Sequence, residues 1–138
     1  MTVPKHIETK LRKVTARCPH KRHQMGCVLT DSHGAIISDG CAHASNIRLA
    51  QTTSMHAEIH CLGRGRYRSL RGTTAYVMAR ARKSGNVTIG KPCLTCAIAM
   101  RSAGVEKVFY SVSNGVYAEL DLESDLSKLK VYKKGCEC

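Results

Sequence analysis

The chain has 138 residues, 22 Lys and Arg against 10 Asp and Glu, a formal net charge of +12, and eight cysteines. That length suits one domain, residues 1–138, with a core of its own and no room for a separate substrate domain. There is no apolar run of about 18 residues and no apolar stretch with a cleavage site at the N-terminus, so neither a membrane span nor a secretory signal is expected, and the expected compartment is intracellular, cytoplasmic or nuclear. So strong a positive field gathers polyanions and speeds encounter with them, which points to a phosphate-bearing partner.

In chain order, residues 4–17 carry Ile7, Leu11 and Val14 at i, i+4 and i+7, an apolar stripe on a basic helix. Pro19 stops it, because proline cannot continue the backbone hydrogen bonds. Two short apolar runs, residues 25–30 and 35–39, flank Asp31-Ser32-His33-Gly34 and read as a hairpin with Gly34 at positive φ. A polar loop then runs to Ser54, a candidate N-cap for a helix whose first turn would hold His56 and Glu58 and whose end falls near Gly63 or Gly65.

Arg64, Arg66, Arg68 and Arg71 crowd around Tyr67 as a basic patch. Residues 73–79 are β-branched and aromatic, a central strand by propensity. Residues 80–86 turn the chain and 87–89 form a short edge piece. A second helix starts at Pro92-Cys93 and stops at Gly104. Residues 105–112 and 116–122 read as strands joined by a tight turn at Asn114-Gly115, and a short amphipathic piece, 125–129, precedes a basic tail. The order α-β-β-α-β-α-β-β predicts an α/β fold: a three-layer-like sandwich of a central mixed sheet of about five strands flanked by helices.

Two separated pieces carry the chemistry, His56-Ala57-Glu58 and Pro92-Cys93-Leu94-Thr95-Cys96. An imidazole and two thiolates suit Zn²⁺ and leave its fourth position open to water. Glu58 stands two residues from the histidine, free to move protons. The other cysteines (Cys18, Cys27, Cys41, Cys61, Cys136, Cys138) read as buried or free thiols, because no secretion signal favours a disulfide framework. Cys136 and Cys138 with Cys18, His20 and His23 offer ligand types for a second, structural zinc, but loose terminal cysteines are the preferred reading.

The pair H-x-E and P-C-x-x-C, in that order and each at an expected helix start, resembles the signature of the cytidine deaminase superfamily, zinc-dependent deaminases of nucleosides, deoxycytidylate, tRNA adenosine and polynucleotide cytosine. The resemblance covers roughly residues 25–112. It implies one catalytic Zn²⁺ on His56, Cys93 and Cys96, with Glu58 as proton shuttle. It also implies a homo-oligomer. Asn46 lies where relatives often place a sugar-contacting asparagine; with Ala57 and Tyr110 it completes the candidate substrate contacts. His60 and Thr95 are expected to be ordinary helix residues. The terminal C-x-C is similar to one that holds a second zinc in plant organelle RNA-editing deaminases, although the accompanying ligands are not recognisable here.

The expected reaction is hydrolysis of cytosine to uracil in a nucleotide or single-stranded nucleic acid. Free cytidine or deoxycytidine and tRNA-type adenosine are the alternatives. A closing antiparallel hairpin at Asn114-Gly115 resembles the nucleoside branch of the superfamily, while the arginine cluster favours a phosphate. Five tyrosines, one phenylalanine and no tryptophan leave few platforms for stacking bases. The non-enzymatic reading is a zinc-stabilised nucleic-acid-binding module; an uncoordinated glutamate argues against it, since structural zinc sites are closed by four protein ligands.

Overall fold

The computed structural model of the protein describes residues 3–20, 22–44, 54–64 and 70–123. Asn46, Arg66, Tyr67, Arg68, the amphipathic piece 125–129, Cys136 and Cys138 lie outside the described residues. The element order is α1 (Lys5–Ala16), β1 (His23–Thr30), β2 (Ile36–Cys41), β3 (His43–Ala44), β4 (Ser54–Met55), α2 (Ala57–Arg64), β5 (Thr74–Ala81), β6 (Val87–Thr88), α3 (Leu94–Ala103), β7 (Lys107–Ser113) and β8 (Val116–Leu120).

One mixed sheet runs β2-β1-β5-β7-β8, with β6 added to β5 as a sixth strand. All its pairs are antiparallel except β5 with β7, the pair joined through α3. Parallel neighbours need such a crossover, and it leaves the start of the helix at the carboxyl ends of the strands. Alternate side chains of the sheet feed two cores. Leu29, Val77 and Val108 meet Ala57, Cys61, Ala97 and Met100 of α2 and α3, whereas Val28, Tyr76, Met78 and Phe109 meet Ile7, Leu11 and Val14 of α1. The expected three-layer sandwich is present, with α1 on one face and α2 and α3 on the other.

Two glycines set how closely those layers approach. A Cβ on Gly26 of β1 would lie 2.7 Å from Thr15 N in α1, and one on Gly40 of β2 would lie 2.5 Å from Cys61 N and 2.9 Å from Ala57 O in α2. Neither backbone contact leaves room for a side chain.

Most expected boundaries hold within a few residues. α1 ends before Pro19, Gly104 caps α3 at φ +100°, and Gly34 and Gly115 take positive φ in their turns. Three expectations change. Ser54 is not a helix N-cap but part of β4, where it pairs with Ala44, and α2 begins only at Ala57. The strand expected over 73–79 continues through Arg80 and Ala81, because β1 starts early enough for Gln24 and His23 to pair with them. The piece expected at an edge, 87–89, is β6, lodged between the end of β5 and the end of β7. No helix among the described residues is long and apolar enough to cross a membrane.

Candidate metal centre

His56 stands immediately before α2, and its carbonyl accepts the first helical bond, from His60 N at 2.9 Å. Cys93 caps α3 with its side chain uncommitted to the helix, and Cys96 follows within the first turn. Both helix starts therefore present metal-binding side chains at the carboxyl ends of β5 and β7, the end of an open α/β sheet where ligands bind.

His56, Cys93 and Cys96 place their ligand atoms within 4.8 Å of one another, and they are the one such group of three or more among the described residues. His56 Nδ1 lies 3.0 Å from Cys96 Sγ and 3.7 Å from Cys93 Sγ. A tetrahedral zinc with its usual bond lengths would hold nitrogen and sulfur roughly 3.5 Å apart, so the cluster needs only an adjustment of about half an ångström. Hydrogen bonding from Cys96, and then from His56, pulls the Cys93 thiol down to about 4, into the thiolate form that a metal takes. His56 is raised in turn, chiefly by its bond to Cys93.

Glu58 is 1 % exposed, and its Oε1 is the one buried side-chain oxygen or nitrogen among the described residues that lacks a hydrogen-bond partner. Burial pushes its carboxyl up, offset in part by its own backbone N–H and by His56. An orphaned carboxylate oxygen beside two thiols and an imidazole is costly unless something polar sits against it. The donor set and the orphaned oxygen together fit one zinc and a reacting water.

The other sequence candidates fall around this centre. Ala57 is fully buried at the start of α2. Tyr110 is half-buried on the α2–α3 face of β7, and Lys91, two residues before Cys93, holds its ammonium 6.0 Å from the Tyr110 ring centroid. His60 accepts a hydrogen bond from Cys41 N at 3.2 Å, tying α2 to β2, and Thr95 is exposed in the first turn of α3. Of the second-zinc candidates, Cys18 bonds the His23 carbonyl and His20 Nδ1 accepts the N–H groups of Arg22 and His23.

The arginine cluster needs a correction. Arg64 sits at the far end of α2, paired with Asp39 at 3.5 Å, and Arg71 lies against Gly104 at the C-terminal end of α3. Arg71 also lines a cleft of about 570 Å³ with Arg101, Lys107 and Glu119, a cleft that none of the metal-cluster residues lines. Arg64 therefore stands at the other end of α2 from His56, and Arg71 beside the other end of α3 from Cys93 and Cys96.

Sequence reasoning missed the residues that hold the site in place. Gly40, Ser38, Gly90 and Ser111 act through partners distant in the chain, and only Ser111, a small polar residue inside an apolar strand, left a faint signal.

The same architecture is known elsewhere. A dCMP deaminase from the cyanophage S-TIM5, in apo form, aligns at a TM-score of 0.57 with 20 % identity, over 94 % of this chain and 96 % of that one. Its complex with dCMP and dUMP aligns at 0.53 with 19 % identity, over 78 % and 82 %. A cytidine deaminase from Burkholderia pseudomallei aligns at 0.65 with 17 % identity, over 90 % and 96 %. No curated protein sequence matches the chain. Residues 3–112 match the family described as the cytidine and deoxycytidylate deaminase zinc-binding region, so the chain belongs to that deaminase family.

Proposed function

We propose that this protein hydrolyses cytosine to uracil in a nucleoside monophosphate, using one zinc held by His56, Cys93 and Cys96. The observation that carries this reading is the buried, partnerless Oε1 of Glu58 beside the three ligand side chains. A structural zinc site has no use for it.

Zinc, when bound, supplies the Lewis acid that makes water a nucleophile at neutral pH. Glu58 takes one proton from the attacking water and passes it to the ring nitrogen, then takes the second from the hydroxyl now on C4 and delivers it to the amino group, so that the C4–N bond breaks, ammonia leaves and the C4 carbonyl remains. Burial, which raises the affinity of Glu58 for a proton, suits a group that must accept and release one. Tyr110 and Ala57 line the approach in this reading, and residues 1–138 form one deaminase domain that assembles as a homo-oligomer.

A phosphate on the substrate is supported by the net charge of +12, to which two arginines contribute at the same end of the sheet as the metal cluster but on its α1 face. The Arg80 side chain bonds the Gln24 side-chain oxygen (3.0 and 2.6 Å) and the Arg82 side chain the carbonyls of Cys18 and His20 (3.2 and 3.3 Å), and among the described residues neither has a carboxylate partner. The structural neighbour with dCMP and dUMP bound supports the same choice. The second reading, a free nucleoside, is favoured by the antiparallel β7–β8 hairpin.

The test is a panel of dCMP, CMP, deoxycytidine, cytidine, a cytosine-containing single-stranded oligonucleotide and an adenosine-containing tRNA stem-loop, assayed for base conversion. One charged hydrogen bond to phosphate predicts kcat/KM for a monophosphate at least about tenfold above its nucleoside. Equal or faster turnover of the nucleosides would reverse the choice, and no conversion by the zinc-loaded protein would favour the binding module.

A further inference from the structure

We propose that Ser111 is a positioning residue for the metal centre, holding the strap that delivers Cys93. This rests on the reading of Cys93 as a zinc ligand.

The sheet forks at this point. β5 and β7 run as a parallel pair from Thr74↔Lys107 to Val77↔Tyr110 and pair no further. From Ala79 onward the same edge of β5 pairs with β6 instead, Ala79↔Thr88 and Arg80↔Val87. Ser111, fully buried, stands where the ladders part. Its hydroxyl accepts Ala79 N–H at 3.1 Å and donates to the Thr88 carbonyl at 2.7 Å. The oxygen thus stands in as a rung between the two strands.

The Ser111 carbonyl accepts Gly90 N–H at 2.9 Å, and Asn114 Oδ1 accepts Val87 N–H at 3.2 Å. Gly90 has no room for a side chain: a Cβ there would lie 2.9 Å from both Ala79 N and Ser111 Oγ. Three attachments therefore fix residues 87–90 to the β7–β8 hairpin. Only Lys91 and the buried, φ-locked Pro92 separate the last of them from Cys93. Replacing the hydroxyl with hydrogen leaves the buried Ala79 N–H and the part-buried Thr88 carbonyl without this partner and frees the strap at its middle point. Groups that orient metal ligands from behind commonly change affinity by about 10–100-fold when lost.

The measurement is zinc affinity by chelator competition, with far-UV circular dichroism and Tm as folding readouts and the cobalt ligand-field spectrum as a report on geometry. Ser111→Ala is expected to stay folded, bind zinc about tenfold or more weakly, and shift the cobalt spectrum. Tyr117→Phe, which removes a hydrogen bond in the α1 core, lowers Tm without moving either metal readout and serves as the control. Asn114→Ala releases the strap at an exposed position and should weaken zinc in the same direction by a smaller factor. Wild-type affinity in folded Ser111→Ala overturns the proposal. Failure of Ser111→Ala to fold also overturns it, since the hydroxyl would then serve the fold and not the metal. Cys93→Ala separates the two readings: zinc retained there refutes the ligand assignment whatever Ser111 does.

Discussion

The two halves of the metal centre are held to the sheet by opposite means. The histidine–glutamate half gains its place through absence: Gly40 has no side chain, so α2 settles on β2 with backbone against backbone. Ser38 Oγ donates to Cys61 O at 2.7 Å, His60 accepts Cys41 N–H, and Asp39 gathers Lys10, Arg17 and Arg64 at 3.4, 3.6 and 3.5 Å. The cysteine half hangs on a non-helical strap, and a hydroxyl stands in for a missing ladder bond. A backbone-to-backbone approach at Gly40 leads in one half and hydrogen bonds lead in the other, although Gly90 leaves no room for a side chain there either. Close packing tolerates almost no added volume, whereas a hydrogen-bonded strap tolerates volume poorly only where it is buried and otherwise depends on individual polar atoms.

The largest effect separates reacting from holding within the α2 half. Glu58→Gln should lower kcat by about 10²–10⁴-fold while zinc content stays at one per chain, measured by turnover and metal analysis on one sample. Full activity in that variant would remove Glu58 from the chemistry. Next comes shape. Gly40→Ala sets a methyl 2.5 Å from a backbone nitrogen that cannot step aside, and should destabilise the fold by about 3 kcal/mol or more by urea unfolding. A loss below about 1 kcal/mol would mean that α2 has slack against β2.

Ser38→Ala removes a polar anchor from the same half and should cost about 1–2 kcal/mol, with zinc affinity close to wild type because the Gly40 contact remains. A large drop in zinc affinity there would erase the distinction between the halves. The smallest effect lies outside both. Burial and the hydrogen bond to Glu8 raise the Tyr117 phenol well above its ordinary value. A raised folded value gives a stabilising contribution that is full below about pH 10 and is lost as pH climbs above it. Tyr117→Phe should therefore be slightly less stable at neutral pH and show a flatter alkaline decline, read from Tm against pH. Parallel curves would show that the phenol does not titrate in this way.

The metal cluster of this picture was legible in the sequence. His56, Glu58, Cys93 and Cys96 are fixed by spacing, and Pro92 and Gly104 bracket α3 through local backbone rules. The long helices and strands announced themselves by periodicity for the same reason: each signal lies within a few residues. Ser54 misled because its local cap chemistry was outweighed by pairing with Ala44, ten residues earlier. Where Arg64 and Arg71 lie was not legible, because charge in a sequence carries no direction: one stands at the far end of α2 and the other beside the far end of α3. Gly40 and Gly90 were invisible, and Ser111 nearly so, because their meaning resides in Cys61, Ala79 and Thr88, contacts that exist only once the layers meet.

The fork at Ser111 also sets an order of assembly. Cys93 leaves the ribosome well before the hairpin residues that will hold its strap, whereas β2, which seats α2, is already made when His56 emerges. The histidine side can settle on finished structure; the cysteine side must wait for a loop to close on residues 111 and 114, and loop closure has to be met before its contacts repay it. A complete metal site therefore requires that the last parallel strand has found its neighbour.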